Sequence, residues 1–533
     1  MAHRAISHAA GIVTAVPELP EALTVYPPPS DQMAVARRII SDHNFRNRDG
    51  ILTVRWWRGD FYFYSGDHWV VVSDPVVQSQ LYTILENVHF VKGKVPVPWE
   101  PTRNKIHNVV DALRSIVILP EHTEPPAWIE GDDDGRVLAT ANVLLRLNTR
   151  TTIRHTPRLF NQFALPHAYE HDAPEPVRWL NFLHDLWGDD EESIELLQQW
   201  FGYTLSGATN LHKILLLVGP PRSGKGTIAR VLTALVGKEN TAGPTLASLG
   251  ANFGLSPLLG KAVAIISDAR LGGNTFTTVE RLLSISGEDS LTVDRKYKEP
   301  RTGRLPVRFT VISNELPNLG DASGAVATRF VVLLLEKSWL GKENENLTDE
   351  LLEELPGILN WSMDGLDRLR KKRHFTEPQS SKDAVIELQD LSSPVAAFVR
   401  ECCERGPYEI EIDELYLEWR AWCEAQGRTK ISTKQRFGRD LRAVIPGLKV
   451  IQHPRRYRGL RLRDGGDQDG DDRVPARSWR QGNAQERDPG HSKSDLDAAF
   501  LALAPLRPTV IGVRMNAQER DHPHSRSHWE EDP

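Results

Sequence analysis

The sequence predicts an α/β protein centred on a parallel sheet, and three observations carry that prediction. Short unbroken apolar runs recur between residues 212 and 337, at Ile214–Val218, 262–266, 309–312 and Phe330–Leu334. Helical patterns separate them, as expected of strands covered by helices on both faces. A glycine-rich segment ending in Gly224 and Lys225 follows the first run directly and opens the helical pattern 228–236.

Taken in order, residues 1–44 carry Pro17, Pro20, Pro27, Pro28 and Pro29 and read as a flexible arm. From 51 to 72 the pattern turns aromatic and β-branched, with Gly66 and Asp67 as a turn, which predicts a small antiparallel sheet. Helical periodicity follows at 76–88 and 104–118, then an acidic loop at 130–135 and a strand-like run at 137–146. Helices at 176–186 and 192–205 close a mixed α/β accessory domain, 45–205. The parallel core occupies 206–380 and ends in a helix over 349–372. A small unit, 390–465, combines helices with a β-ribbon around 450–462, and the polar stretch 466–533 reads as a disordered tail. That tail holds a near-repeat at 483–488 and 516–521, too few copies for a solenoid.

Composition narrows the class. The chain has 533 residues, 40% hydrophobic and 26% charged, which excludes a fibrous or wholly disordered protein. No apolar run approaches the ~18 residues that span a bilayer, and the first residues lack a signal-peptide core. There are three cysteines, two of them adjacent (Cys402, Cys403), so a disulfide framework is excluded and a reducing, cytoplasmic compartment is expected. The net charge is −6, yet 428–463 holds twelve Lys/Arg against the single acid Asp440, a net of +11 that leaves −17 elsewhere. A compact basic segment on an acidic chain is a footprint of phosphate binding, the competing reading being a solvated basic face.

The segment Gly219, Pro220, Pro221, Arg222, Ser223, Gly224, Lys225, Gly226, Thr227 has the chemistry of a phosphate loop. Glycines let backbone N–H groups curl around phosphates, a helix N-terminus faces them, and Lys225 supplies a mobile cation for the β- and γ-phosphates. These nine residues are the expected nucleotide contacts, with ATP and Mg²⁺ as cofactors. Ser or Thr usually follows the lysine to ligate Mg²⁺. Here Gly226 intervenes, so Thr227 takes that role directly or through a metal-bound water. A second acid belongs at the end of another strand, and Asp268, after Ser267, stands there. Asp268 then combines metal binding with positioning of the attacking water, or Glu280 or Glu288 assists.

Further along come Gly287, Glu288 and Asp289, then Arg295, Lys296 and Tyr297, then the run from Arg308 to Asn314 with Pro317, then Thr328, Arg329 and Phe330. In this order the motifs resemble a superfamily 3 helicase of the phage and plasmid primase-helicase type, related to poxvirus replicative NTPases. The resemblance spans roughly 45–465. Trp57 to Tyr62 and Phe201 to Tyr203 carry it in the accessory domain, and Asp413 to Tyr416 with Trp419 and Trp422 carry it near the C-terminus. It implies an AAA+-like P-loop ATPase core working as a homo-hexameric ring, with a basic winged-helix-like DNA-binding domain over 390–465. Asn314 matches the polar sensor that contacts the γ-phosphate or the attacking water; the alternative is a strand-end turn asparagine. Arg329 matches an arginine that reaches a nucleotide in trans, a contribution of ~10³–10⁵ in rate; the alternative is a structural ion-pair partner.

Residues 290–311 also read as a β-hairpin, with Pro300 and Gly303 making the turn. In the family such a hairpin points into the ring channel and grips DNA, which makes Lys296, Lys298, Arg301 and Arg304 the expected phosphate contacts. The function implied is ATP-dependent unwinding of DNA during replication of a phage, plasmid or integrated mobile element in a bacterial cell. Single- and double-stranded DNA are the ligands and a separate primase or polymerase is a partner. The acids at 132–134 and 189–192 read as a solvated turn and a helix cap rather than a primase centre. Two rival readings are a DNA-binding ATPase initiator or scaffold that does not unwind processively, and a nucleotide kinase, whose loop the Gly224 to Thr227 tetrad also resembles.

Overall fold

Five strands lie side by side in the order Thr241–Ala242, Val263–Ile266, Arg308–Ser313, Ile214–Val218 and Phe330–Leu334. Every neighbouring pair is parallel. The apolar runs are unbroken because alternate residues serve opposite faces, and both faces are covered. Leu215, Leu217, Val331 and Leu333 pack in one hydrophobic cluster, with the helix Lys225–Val236. Ile214, Leu216, Phe330 and Val332 pack in a second, with Phe276–Ser286 and Gln379–Ser392.

This computed structural model describes residues 24–43, 45–129, 135–267, 276–319, 325–428 and 431–463. The chain divides into two units, Met1–Asp464 and Gly465–Pro533, and all described residues belong to the first. Asp268, the acids at 132–134, most of the N-terminal arm and the tail 466–533 lie outside the described residues.

The packing runs across the boundary expected at residue 205. Val177–Trp187 and Glu191–Leu205 place Trp179, Leu183, Leu197 and Phe201 in the same cluster as Leu215 and Leu217. Glycines make this possible: a Cβ on Gly202 would stand 2.3 Å from the Ser362 carbonyl oxygen, and one on Gly365 2.3 Å from that of Gln198. Glu191–Leu205 and Leu355–Lys372 therefore touch almost backbone to backbone. The acids at the start of Glu191–Leu205 act as a cap, the Asp190 carboxylate accepting from Ser193 N at 3.1 Å. The single helix expected over 349–372 is two, Leu347–Leu352 and Leu355–Lys372, because Pro356 opens the second.

Upstream, Val54–Trp57, Asp60–Tyr64 and Trp69–Val72 form the expected antiparallel sheet. It packs with Gln32–Asp42, Asp74–Leu85 and Arg103–Val117 around Val54, Phe61, Trp99 and Leu113. Its first turn is two residues, Arg58 (φ 46°) and Gly59 (φ 82°), the left-handed pair that a tight hairpin requires. Downstream, the order is Pro394–Cys402, Cys403–Glu411, Ile412–Ala425, Lys434–Val444, Lys449–Gln452 and Arg455–Leu462. The three strands make an antiparallel sheet with Arg455–Leu462 in the middle. Trp419 and Trp422 are buried in this unit's core. The described residues form a mixed α/β architecture with no closed barrel, and none of their helices is long and apolar enough to cross a membrane.

Candidate functional site

The glycine-rich loop begins where Ile214–Val218 ends. Gly219 N donates to Ser313 O at 3.3 Å, and a side chain there has no room, since a Cβ would lie 2.2 Å from Leu335 O. Arg222 (φ 59°) and Gly224 (φ 95°) take left-handed conformations that curl the chain into Lys225–Val236. Gly224 lies against Leu186 and Phe182, which a Cβ would approach to 2.8 and 3.3 Å. The outer edge is tied to the chain that follows the last strand. Ser338 Oγ donates to Pro221 O (2.8 Å), Trp339 N donates to Arg222 O (3.0 Å), and Glu343 pairs with Arg222 (3.4 Å).

Lys225 is buried, and its ammonium donates to Gly219 O (2.6 Å), Pro220 O (2.7 Å) and Ser223 Oγ (3.1 Å). Burial lowers its pKa from the ordinary 10.5. Three neutral oxygens from its own loop thus hold the cation at the mouth of a helix N-terminus, where the free N–H groups favour an anion. Phosphate oxygens offer the lysine a charged replacement for those acceptors.

Thr227, also buried, accepts a hydrogen bond at Oγ1 from Arg230 Nη2 (3.0 Å), and Arg230 Nε donates to Thr348 Oγ1 (3.0 Å). Arg230 is a contact that sequence reasoning missed; its signal was the i,i+3 spacing on the loop helix. A hydroxyl oxygen has two lone pairs, so Thr227 keeps one for a metal or a metal-bound water. Its expected partner Asp268 lies outside the described residues.

The parallel register divides the remaining candidates. Val218 pairs with Ser313, so Asn314, exposed and next in the chain, shares the loop's end of the sheet. Arg329 does not. It precedes Phe330, which pairs with Ile214 at the other end, about 13 Å from Val218 for a parallel strand of this length. The Arg329 guanidinium lies beside Gly287, 3.5 Å from where a Cβ would stand. Glu288 is at that far end too, accepting from Thr209 Oγ1 and lying 3.7 Å from Arg304 and 3.9 Å from His212. It therefore cannot assist at this chain's own loop, which corrects that part of the expectation.

The hairpin exists, but its turn is elsewhere. Its strands are Leu291–Arg295 and Lys298–Gly303, with Arg295 opposite Lys298 and Lys296–Tyr297 as the tip. Tyr297 supplies the left-handed residue (φ 60°) and is 92% exposed, while Pro300 and Gly303 sit in the second arm. Arg308–Ser313 belongs to the sheet and not to the hairpin. Of the expected phosphate contacts, Lys296, Lys298 and Arg304 are exposed. Lys298 pairs with Asp60 (2.6 Å), and Arg301 lies over the Trp57 ring, 4.4 Å from its centroid.

In the basic C-terminal unit the ribbon is largely neutralised across its strands. Arg458 pairs with Glu409 (2.7 Å), Arg461 with Glu404 (2.6 Å) and Arg456 with Glu411 (3.5 Å). Exposed cations stand on both the ribbon and the helix: Lys449 and Arg455 on the strands, and on Lys434–Val444 Arg442 together with Arg436 and Arg439, which share Asp440 (3.7 and 3.5 Å).

Residues 217–329, which hold the loop, the hairpin and Arg329, match a family of unknown function, DUF5906. Among solved structures the chain is similar to the C-terminal region of NrS-1 in its A form without ligand, at 13% identity and TM-score 0.43, over 75% of this chain and 86% of that one. A second A-form structure, of residues 305–718 of that region, matches at 13% identity and TM-score 0.45 over 80% and 89%. A third apo structure of the same residues matches at 14% identity and TM-score 0.47 over 78% and 87%.

Proposed function

We propose that the chain is an ATP-dependent DNA helicase of the superfamily 3 type, acting as a hexameric ring in replication of a phage, plasmid or integrated mobile element. One observation carries this reading: Lys225 and Asn314 lie at one end of the parallel sheet and Arg329 at the other. A chain built this way holds half of a hydrolytic site and offers the missing arginine to a neighbour. A ring of identical subunits satisfies both needs at every interface.

On this reading ATP binding draws Lys225 from the Gly219 and Pro220 carbonyls onto the β- and γ-phosphates. Thr227 and Asp268 would hold Mg²⁺, which supplies charge neutralisation to the phosphates when bound. Asn314 orients the attacking water and Arg329 of the adjacent subunit meets the charge that develops on the transferred phosphoryl group. The hairpin grips the single strand. The C-terminal unit, whose element order suits a winged-helix-like domain, meets duplex DNA through the exposed cations of Lys434–Val444 and of the ribbon, Arg442, Lys449 and Arg455 among them. The setting is the cytoplasm of a bacterial cell, beside a separate primase or polymerase.

The test is Mg²⁺-dependent ATP hydrolysis by wild type and Lys225→Ala, with and without single-stranded DNA, followed by strand displacement. Stimulation by DNA that disappears in the variant supports the motor. Hydrolysis indifferent to both removes it, and DNA-stimulated turnover that displaces no strand hands the protein to the initiator or scaffold reading.

A further inference from the structure

Asp60 is one of two buried carboxylates among the described residues. It follows Gly59 in the first turn of the N-terminal sheet, and each of its oxygens holds a different cation of the hairpin. Oδ2 accepts from Arg295 Nη1 at 2.5 Å and Oδ1 from Lys298 Nζ at 2.6 Å. The side chains of Asp60 and Arg295 are 9% and 10% exposed. Trp57, three residues earlier, has two guanidinium groups over its ring, those of Arg58 and Arg301, each 4.4 Å from a ring centroid. The hairpin also approaches closely at Gly303, where a Cβ would stand 3.0 Å from Arg58 Nη1. Both arms of the hairpin are thus docked against the turn from Trp57 to Asp60.

A phosphodiester presents the same face as this carboxylate: one negative charge over two oxygens, each open to a separate donor. Arg295 was not among the residues expected to touch DNA, yet with Lys298 it forms a two-cation fork already closed on such a group. Arg295 is too buried for a strand to reach while the hairpin is docked. Lys296 and Tyr297 at the tip, Arg304 behind it and the outer part of Lys298 remain exposed and open to a first encounter.

We propose that Arg295 and Lys298 form a phosphodiester site for single-stranded DNA which Asp60 fills in the free protein, so that strand binding and hairpin docking compete. The inference rests on reading the hairpin as the DNA-gripping element. A strand captured first at Lys296 exchanges its phosphate for the carboxylate of Asp60, and the hairpin leaves the N-terminal sheet as it takes hold.

The test uses the full chain and a labelled oligothymidylate, with affinity measured across a salt series. Asp60→Asn keeps the shape and removes the competing charge, so it binds the strand more tightly than wild type by roughly tenfold, an effect that fades as salt screens the contacts. Adding Arg295→Gln and Lys298→Gln to Asp60→Asn abolishes that gain. Hydrogen exchange on wild type, which needs no variant to fold, shows faster exchange in Asp60–Tyr64 and Lys298–Gly303 once DNA is added. An Asp60→Asn chain that binds no tighter, or exchange unchanged by bound DNA, overturns the inference while DNA-stimulated hydrolysis keeps the helicase reading. Absence of DNA binding by wild type and variant alike overturns both.

Discussion

The two ends of the central sheet solve one problem differently. At the loop end, Lys225 finds its acceptors within six residues of itself, at Gly219, Pro220 and Ser223. At the hairpin end, Arg295 and Lys298 find theirs in Asp60, 235 and 238 residues away in the chain. A cation closed by its own loop is ready for a ligand without any other part moving. One closed by a distant acid binds only when two parts of the molecule separate, so the first end is poised and the second is gated.

The largest effect expected at either end is on Arg329. If it serves a neighbour's nucleotide, Arg329→Ala lowers ATP turnover by ~10³–10⁵. Mixing it with Lys225→Ala restores part of the rate, because some interfaces then pair an intact loop with an intact arginine. A mixture as inactive as its components breaks the comparison and leaves Arg329 a structural residue. Next comes Lys225→Ala alone, expected to cost ~10²–10³ in turnover, as loss of one preorganised donor to developing charge does; its hairpin stays docked, seen as unchanged exchange in Lys298–Gly303. Smaller still is Gly365→Ala, whose Cβ would meet the Gln198 carbonyl at 2.3 Å. It should lower unfolding stability by about 1–3 kcal/mol in denaturant melts, the usual cost of overpacking. The smallest effect is a pH edge. Burial depresses the Lys225 pKa, so its proton is lost below 10.5 and nucleotide affinity falls as pH climbs toward that value. Over the same interval this group makes stability rise, because the unfolded chain holds more protons there. Lys225→Arg should flatten both trends, since a guanidinium stays charged.

The same contrast explains how much was legible in the sequence. The strands Ile214–Val218 and Phe330–Leu334 could be read because a doubly covered strand writes its burial into consecutive residues. The loop could be read because its chemistry is contiguous. The hairpin was legible as an element, but its turn was placed at Pro300 and Gly303 on residue type, whereas the fold puts Tyr297 in the left-handed position. The helices Val177–Trp187 and Glu191–Leu205 were legible as helices, while the face they cover depends on Gly365 and Ser362, far along the chain. The pairing of the ribbon arginines with Glu404, Glu409 and Glu411 was likewise invisible to a charge count over 428–463. Asp60 gave no signal at all, since nothing in Trp57 to Tyr62 announces a partner in the hairpin.

The position of Arg329 also makes dilution a control on the proposed reaction. Its separation from the loop is fixed by the length of the strand between them, and no side-chain motion shortens a strand. If Arg329 serves a neighbour's nucleotide, a lone chain fills its loop and keeps the nucleotide, and turnover per chain should climb with protein concentration before levelling once every loop has a neighbour. On that reading the protein is quiet when scarce and becomes a machine only where its copies accumulate.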